Sequence, residues 1–116
     1  MRAVSRRGHR FLVVLTTAPD ARTASSVSKA LLRERLAACV SRVPGVLSEY
    51  VWKGRIEKSR EILLVIKTRA ALWRRLEAAM KRLHPYEVPE MLALPILDGH
   101  APYLRWVEES TRERSQ

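Results

Sequence analysis

The sequence predicts an α+β fold built on a split βαβ arrangement. Short β-branched runs alternate with two apolar stripes of helical spacing, and two strand-like segments meet at a Lys53-Gly54 turn. A third helical pattern follows at the C-terminal end. The resulting order of strand, helix, long hairpin, helix, strand and helix matches a ferredoxin-like sandwich with a long bent β-hairpin and an extra C-terminal helix. Because 116 residues is close to the usual size of one domain, we expect a single core.

The first strand and helix are predicted by a change of hydrophobic period. Residues 11–16 form a β-branched apolar run too short for a helix, which predicts a central strand covered on both faces. Asp20 can accept backbone N–H bonds at a helix start, and apolar residues from 24 to 31 recur at helical spacing. We expect this helix to end near Leu36.

The long hairpin is predicted to have a bend in its first strand. Residues 38–43 are typical of a strand, Pro44-Gly45 interrupts it as a bulge would, and residues 47–52 continue it. The returning strand is predicted over residues 55–67. Because two strands that project beyond a small sheet have unpaired edges, this hairpin predicts association with other copies of the chain.

The second half of the chain predicts a helix, a strand and a last helix. Apolar residues recur every three or four positions over residues 72–83, and Pro85 ends that helix at the preceding residue. Residues 91–94 predict a short fourth strand. Tyr103, Trp106 and Val107 are spaced for one face of a short last helix, and we expect Tyr103 and Trp106 to be core residues that anchor it.

The formal charge of +10 raises the possibility of nucleic-acid binding. Part of this charge lies ahead of the first strand, and the rest is spread along the chain. RNA-recognition modules of this topology stack bases on aromatic residues of the central strands, whereas the runs that begin at Phe11 and Ile62 have aliphatic residues there. We therefore predict no specific nucleic-acid partner.

The chain divides into three predicted segments. Residues 1–10 are expected to be a disordered basic tail, residues 11–111 a single domain, and residues 112–116 a short polar tail. No apolar run approaches the ~20 residues of a membrane-spanning helix, and none resembles a signal peptide, so we expect a cytoplasmic protein with no membrane partner. Cys39 is the only cysteine, which excludes an intramolecular disulfide.

Eight short blocks resemble the CutA divalent-cation-tolerance family, in the family's order and over nearly all of residues 11–111. The blocks are Thr17-Ala-Pro-Asp20, Leu36-Ala-Ala-Cys39, Val43-Pro-Gly45, Tyr50-Val-Trp-Lys-Gly54, Ile66-Lys67, His84-Pro-Tyr-Glu-Val-Pro-Glu90, Leu94-Pro95 and Tyr103-Leu-Arg-Trp106. The resemblance implies a homotrimer joined through the long strands, an association with copper tolerance, and a shape similar to PII-like signalling proteins.

The copper ligands that this resemblance implies are present only in part. Family members proposed to bind copper have a cysteine where this chain has Thr16, and two adjacent histidines where it has Leu83 and His84. His84 and Cys39 are therefore the candidate ligands for Cu(II) or another divalent cation. Soft sulfur and imidazole donors favour copper, and this chain lacks one of each at the expected positions, so we expect the cation to be weakly bound. In the alternative interpretation, Cys39 is a small buried apolar residue. No organic cofactor is implied.

A pocket between subunits is predicted at the rigid, proline-containing segment from His84 to Glu90. Its candidate residues are Tyr50, Trp52, Lys67, His84, Tyr86 and Glu90. In the alternative interpretation the prolines only end a helix, the carboxylates pair across a subunit interface, the aromatic residues pack against a neighbouring subunit, and Lys67 extends into water.

The function predicted from these features is non-enzymatic binding. The sequence contains no glycine-rich phosphate loop, nucleophile elbow or zinc-hydrolase spacing, so an enzyme with His84 or Glu90 as acid or base is the weaker interpretation. The first hypothesis is a trimer linked to divalent-metal response through weak metal or small-ligand binding at pockets between subunits. The alternative is a PII-like signalling or scaffolding trimer without metal binding, and the sequence does not choose between them.

Overall fold

The computed structural model describes residues 9–113, which contain four strands and three α-helices. The elements in chain order are β1 (Phe11–Ala18), α1 (Ala21–Arg33), β2 (Cys39–Trp52), β3 (Arg55–Arg69), α2 (Trp73–Leu83), β4 (Leu92–Pro95) and α3 (Ala101–Ser110), with a single 3₁₀ turn at Ala70–Leu72. No helix among the described residues is long and apolar enough to cross a membrane. Most of both predicted tails, residues 1–8 and 114–116, lies outside the described residues.

The four strands form one antiparallel sheet in the order β2-β3-β1-β4. Helices α1 and α2 cover one face of it, and the core lies between them and the sheet. Its largest buried side chains include Leu31, Leu64, Ile66 and Met80. The predicted α+β, ferredoxin-like fold is confirmed, with β1 in the interior of the sheet as expected.

The bounds of α1 follow from local backbone chemistry. The Asp20 carboxylate accepts a hydrogen bond from the Thr23 N–H at 2.7 Å, and this bond holds the pKa of Asp20 below its ordinary value. The helix ends at Arg33, three residues before the predicted end, because Arg35 adopts a left-handed backbone with φ of 58°. The Leu36 N–H then bonds the Leu31 carbonyl at 2.9 Å, which closes the helix.

The long hairpin extends well past the rest of the sheet. Lys53 and Gly54 both have positive φ, as the tight turn at its tip requires. The pairing of β2 with β3 shifts by one residue between Val43 and Val46, so Pro44-Gly45 forms the predicted bulge. Because β1 pairs only with the second half of β3, residues 55–61 extend the hairpin about 23 Å beyond β1, at ~3.3 Å per residue.

The opposite face of the sheet is largely uncovered in the single chain. In β1, Leu12 and Val14 are buried against the helices, whereas Val13 and Leu15 on the other side are only half-buried. The prediction that both faces of β1 are covered is therefore wrong for the chain by itself, since α1 and α2 lie on one side and α3 contacts the sheet only at its end. We call the other side the open face, and its apolar residues are Val13, Leu15, Val43, Leu63, Val65, Leu92 and Leu94.

Helix α3 is held at the end of the sheet by one of the three residues predicted to share its packed face. Val107 is buried, whereas Tyr103 and Trp106 are 41% and 45% exposed, so the prediction that these two are core residues is wrong for the single chain. The Arg69 guanidinium donates hydrogen bonds to the Thr111 hydroxyl at 2.8 Å and to its carbonyl at 2.9 Å. The rings of Tyr103 and Trp106 pack against each other, with centroids 5.6 Å apart.

Candidate functional site

A cavity of about 620 Å³ lies between the projecting half of the long hairpin and the loop between α2 and β4. Tyr50 and Trp52 reach it from β2, because the alternation of the strand places both on the open-face side. Glu61 reaches it from β3, and Tyr86 and Glu90 from the loop. The cavity therefore joins two segments that are more than twenty residues apart in the sequence.

Glu61 and Tyr86 form the polar centre of this cavity. The Tyr86 hydroxyl donates a hydrogen bond to Glu61 Oε2 at 2.8 Å, and Glu61 is only 8% exposed. Burial raises the pKa of the Tyr86 phenol well above its ordinary value, and the hydrogen bond to the Glu61 carboxylate raises that pKa further. Tyr86 is therefore a neutral donor, held in place by an acceptor that few water molecules can reach.

His84 positions Tyr86 from behind the cavity wall. Its ring is buried, with Nε2 2.6 Å from the Thr17 carbonyl oxygen, while Nδ1 accepts the Tyr86 N–H at 3.1 Å. Because Nδ1 accepts a hydrogen bond, the proton of a neutral ring lies on Nε2, from which it is donated to Thr17. Both ring nitrogens are thus engaged, and the imidazole fixes the turn that directs Tyr86 towards Glu61.

The cavity is strongly acidic, although the chain as a whole is basic. Five of the chain's twelve acidic residues line it, and no lysine or arginine of residues 9–113 does. These residues are Glu49, Glu57, Glu61, Glu87 and Glu90. Within residues 9–113 none of the five forms an ion pair, since the four ion pairs there involve other carboxylates. The site therefore concentrates negative charge in a molecule of net charge +10.

The two predicted metal ligands do not meet in the single chain. Cys39 pairs with Lys67, which lies opposite Val13, whereas His84 bonds Thr17, about 13 Å further along the sheet at ~3.3 Å per residue. Within residues 9–113 no group of three or more His, Cys, Asp or Glu side chains is arranged to hold a metal ion. These residues do not fit a resident copper ion, because the one imidazole already uses both nitrogens.

The predicted pocket residues separate into three groups. Tyr50, Trp52, Tyr86 and Glu90 line the cavity, and His84 supports it from behind. Lys67 does not line it, because its ammonium donates a hydrogen bond to Ser41 Oγ at 3.1 Å near the other end of the sheet.

Glu61 is a site residue that was not predicted from the sequence. It lies six residues before Lys67 on β3, and it is the only carboxylate at the head of the apolar run of residues 62–66. Alternation along β3 places it on the open-face side. A single carboxylate at the head of an apolar strand was the sequence signal that could have identified Glu61 as a site residue.

The fold and the cavity together define a small ferredoxin-like protein with an extended hairpin and a ligand-sized acidic cavity beside that hairpin. The model of the CutA1 divalent ion tolerance protein family matches residues 12–110, and the chain belongs to this family. The resemblance on which the sequence analysis relied is thus confirmed over nearly the whole predicted domain.

Individual relatives agree with this assignment. The chain is 48% identical over 99 residues to the divalent-cation tolerance protein CutA of Thermus thermophilus, over 85% of this chain and 96% of that protein. It is 42% identical over 99 residues to human Protein CutA, over 85% of this chain and 55% of the human protein, so it spans about half of that relative's length.

Solved structures give the same result. The Thermus thermophilus Cut A1 structure has a TM-score of 0.86 at 46% identity and covers 88% of this chain and 99% of its own. The Oryza sativa CutA1 structure has a TM-score of 0.87 at 42% identity and covers 91% and 97%. The ferredoxin-like assignment thus agrees with solved structures of the same family.

Proposed function

We propose that this chain is a non-enzymatic, homotrimeric binding protein of the divalent-cation-tolerance response, with a small ligand bound in the Glu61–Tyr86 cavity. The observation that carries the proposal is that this cavity borders the open face of the sheet. A second copy that covers the open face would therefore also reach the cavity, which would then lie between subunits.

The open face supports self-association through its exposed apolar surface. Val43, Leu92 and Leu94 are 44%, 54% and 43% exposed, and they adjoin the half-buried aliphatic residues of β1 and β3. Soluble monomers rarely expose a continuous apolar surface of this kind, and such surfaces mark interfaces. The projecting hairpin adds exposed apolar residues on its other side, where Val51 and Ile56 are 73% and 77% exposed. Both features favour an assembly of several copies.

The chemistry of the cavity supports binding rather than turnover. A general acid needs a proton donor, and a general base a proton acceptor, that is free to reach the substrate. His84 is not free, because both of its nitrogens are bonded, and the Tyr86 proton is held by its raised pKa. The five glutamates of the lining provide negative charge. This arrangement suits recognition of a charged ligand.

The link to divalent cations is proposed to act through the ligand pocket, with direct metal binding weak. Ligation by His84 would break its bond to Thr17 or to the Tyr86 N–H, and Cys39 is too distant to add a thiolate within one chain. Copper should then bind well below one ion per subunit, except where ligands from a second copy complete a site.

Native mass spectrometry of the metal-free protein titrated with Cu(II) tests both parts. We expect a trimer that takes up less than one Cu per subunit, with the same uptake in a His84→Ala variant. Uptake of one Cu per subunit that is lost in His84→Ala would show that His84 is a copper ligand, and would contradict the proposal that direct metal binding is weak. A monomer would contradict the proposed assembly.

The scaffolding alternative is favoured by one observation, namely that the open face is apolar regardless of what the cavity binds. Glu90→Gln separates the two functions, since Glu90 lines the cavity but lies outside the open face. An intact trimer with altered ligand binding supports pocket chemistry. A trimer that only becomes less stable supports a scaffold.

A further inference from the structure

We propose that the Glu61–Tyr86 cavity binds an organic ammonium ion of the linear aliphatic diamine class. This inference rests on the proposed ligand-binding function and specifies the chemistry of the ligand. The charge of the cavity, its aromatic walls and its size each restrict the class of molecule that can bind.

The first restriction is the buried charge of Glu61. The side chain is more than nine-tenths buried, and among residues 9–113 no lysine, arginine or histidine nitrogen lies within ion-pair distance of it. Tyr86 satisfies one carboxylate oxygen but brings no positive charge. A buried carboxylate is retained at high cost unless a cation pairs with it. A cationic ligand would supply the missing partner.

The second restriction is the aromatic wall. Tyr50 and Trp52 line the same cavity and are each 42% exposed in the single chain. The negative face of an aromatic ring attracts ammonium groups and also packs against aliphatic stems. The Lys53 ammonium already lies 5.9 Å from the centroid of the Trp52 ring, so that ring can accept an aliphatic ammonium group.

The third restriction excludes a bare metal ion. A volume of about 620 Å³ is that of a small-molecule site, and within residues 9–113 the carboxylates are not grouped closely enough to hold a metal. They lie instead on two walls, with Glu57 on the hairpin and Glu87 and Glu90 on the loop. Two positive charges separated by an apolar stem match two acidic walls with aromatic residues beside them.

The overall charge of the protein restricts where a small cation can bind. A net charge of +10 repels small cations from most of the surface, so a diamine that binds this chain must have a specific negative site. The diol of the same length is the matched neutral probe, because it keeps the stem and removes both charges.

Isothermal titration calorimetry of the full-length chain with 1,4-diaminobutane and with 1,4-butanediol tests the proposal. We expect the diamine to bind saturably and the diol not to bind. Glu61→Gln retains an acceptor for Tyr86 but removes the charge, and should weaken diamine binding at least tenfold. Glu109→Gln makes the same charge change at an exposed carboxylate outside the cavity, and should change the affinity less than twofold.

Native mass spectrometry of the same samples separates the other outcomes. A wild-type trimer that binds neither probe overturns the diamine proposal and leaves the proposed trimer standing. If the wild type binds no diamine and the Glu61→Gln variant dissociates, a basic side chain of a second copy pairs with Glu61 in the cavity. That result also overturns the diamine proposal. A wild-type monomer that binds the diamine supports this inference while contradicting the proposed assembly.

Discussion

Replacing Leu94 by lysine on the open face should dissociate the proposed trimer. Leu94 is 43% exposed in the single chain, and complete burial of a leucine side chain is worth about 1.5–3 kcal/mol. Covering the remaining exposed fraction therefore contributes about 0.6–1.3 kcal/mol per chain. Lysine loses this contribution and must also lose hydration of its ammonium when covered, which raises the total to at least about 2 kcal/mol per chain. That corresponds to roughly a thirtyfold weaker association for each chain.

Size-exclusion chromatography with light scattering over a dilution series measures this change. The matched control is Leu32→Lys on α1, because Leu32 is also 43% exposed but lies on the helical side of the molecule. We expect Leu94→Lys to dissociate at protein concentrations where the wild type and Leu32→Lys remain trimeric. Equal behaviour of the two variants would refute the assignment of the open face as the interface.

Three further predictions concern the folded chain and are measured by chemical denaturation. Tyr86→Phe should lose about 1–2 kcal/mol at neutral pH, because the buried Glu61 carboxylate loses its donor. Because folding raises the pKa of Tyr86, the stabilisation by its hydroxyl is complete below about pH 10 and is lost as the pH rises further. The difference in free energy of unfolding between wild type and variant should therefore shrink above that pH. A difference that stays constant there would contradict the assignment. Met80→Ala should cost about 2–5 kcal/mol, because Met80 is fully buried, and a loss below about 1 kcal/mol would show that the core is packed differently. Gly54→Ala should cost about 1 kcal/mol from its φ of +77° alone, because no neighbouring atom lies within 4 Å of an added Cβ; Gly54→Asn should recover much of this loss, and equal losses would argue against a purely conformational cause.

The elements that could be predicted from the sequence are those set by local chemistry. Asp20 caps α1 through its own carboxylate, Pro85 ends α2 by removing an N–H, and Gly54 supplies the backbone of the hairpin turn. None of these effects depends on distant residues. The end of α1 was placed three residues late, because the left-handed conformation of Arg35 has no signal in its residue type.

The features that could not be predicted depend on how helices and strands pack against one another. The spacing of Tyr103, Trp106 and Val107 shows that they share a helix face, but not that only Val107 of the three is buried in the single chain. The apolar run of β1 predicted cover on both sides, whereas the single chain provides helices for one. Periodicity along a segment reports amphipathicity and does not identify the neighbour.

Most of the cavity-lining residues that were predicted belong to segments with a clear local pattern. The residue that was missed is buried only through a contact with a distant segment. Tyr50, Trp52, Tyr86 and Glu90 were expected to line a pocket, and in the structure they line one cavity. Glu61 was missed because its burial depends on the return of the loop that carries Tyr86. His84 was considered as a ligand because the sequence cannot show that both of its nitrogens are already bonded.

The bulge at Pro44-Gly45 is a point where the length of β2 can change without changing the cavity. Two residues of β2 there stand opposite the single residue Ile62 of β3, and the strand pairs regularly again from Val46 onward. Deletion of one of the two would restore a simple alternation, and Tyr50 would still pair with Glu57 on the cavity side. The local bend of the hairpin would change instead, because a bulge bends its strand and increases its twist. A one-residue change in length at this position therefore adjusts the direction of the hairpin and keeps its ligand-facing residues, whereas a change elsewhere in the strand would disturb both.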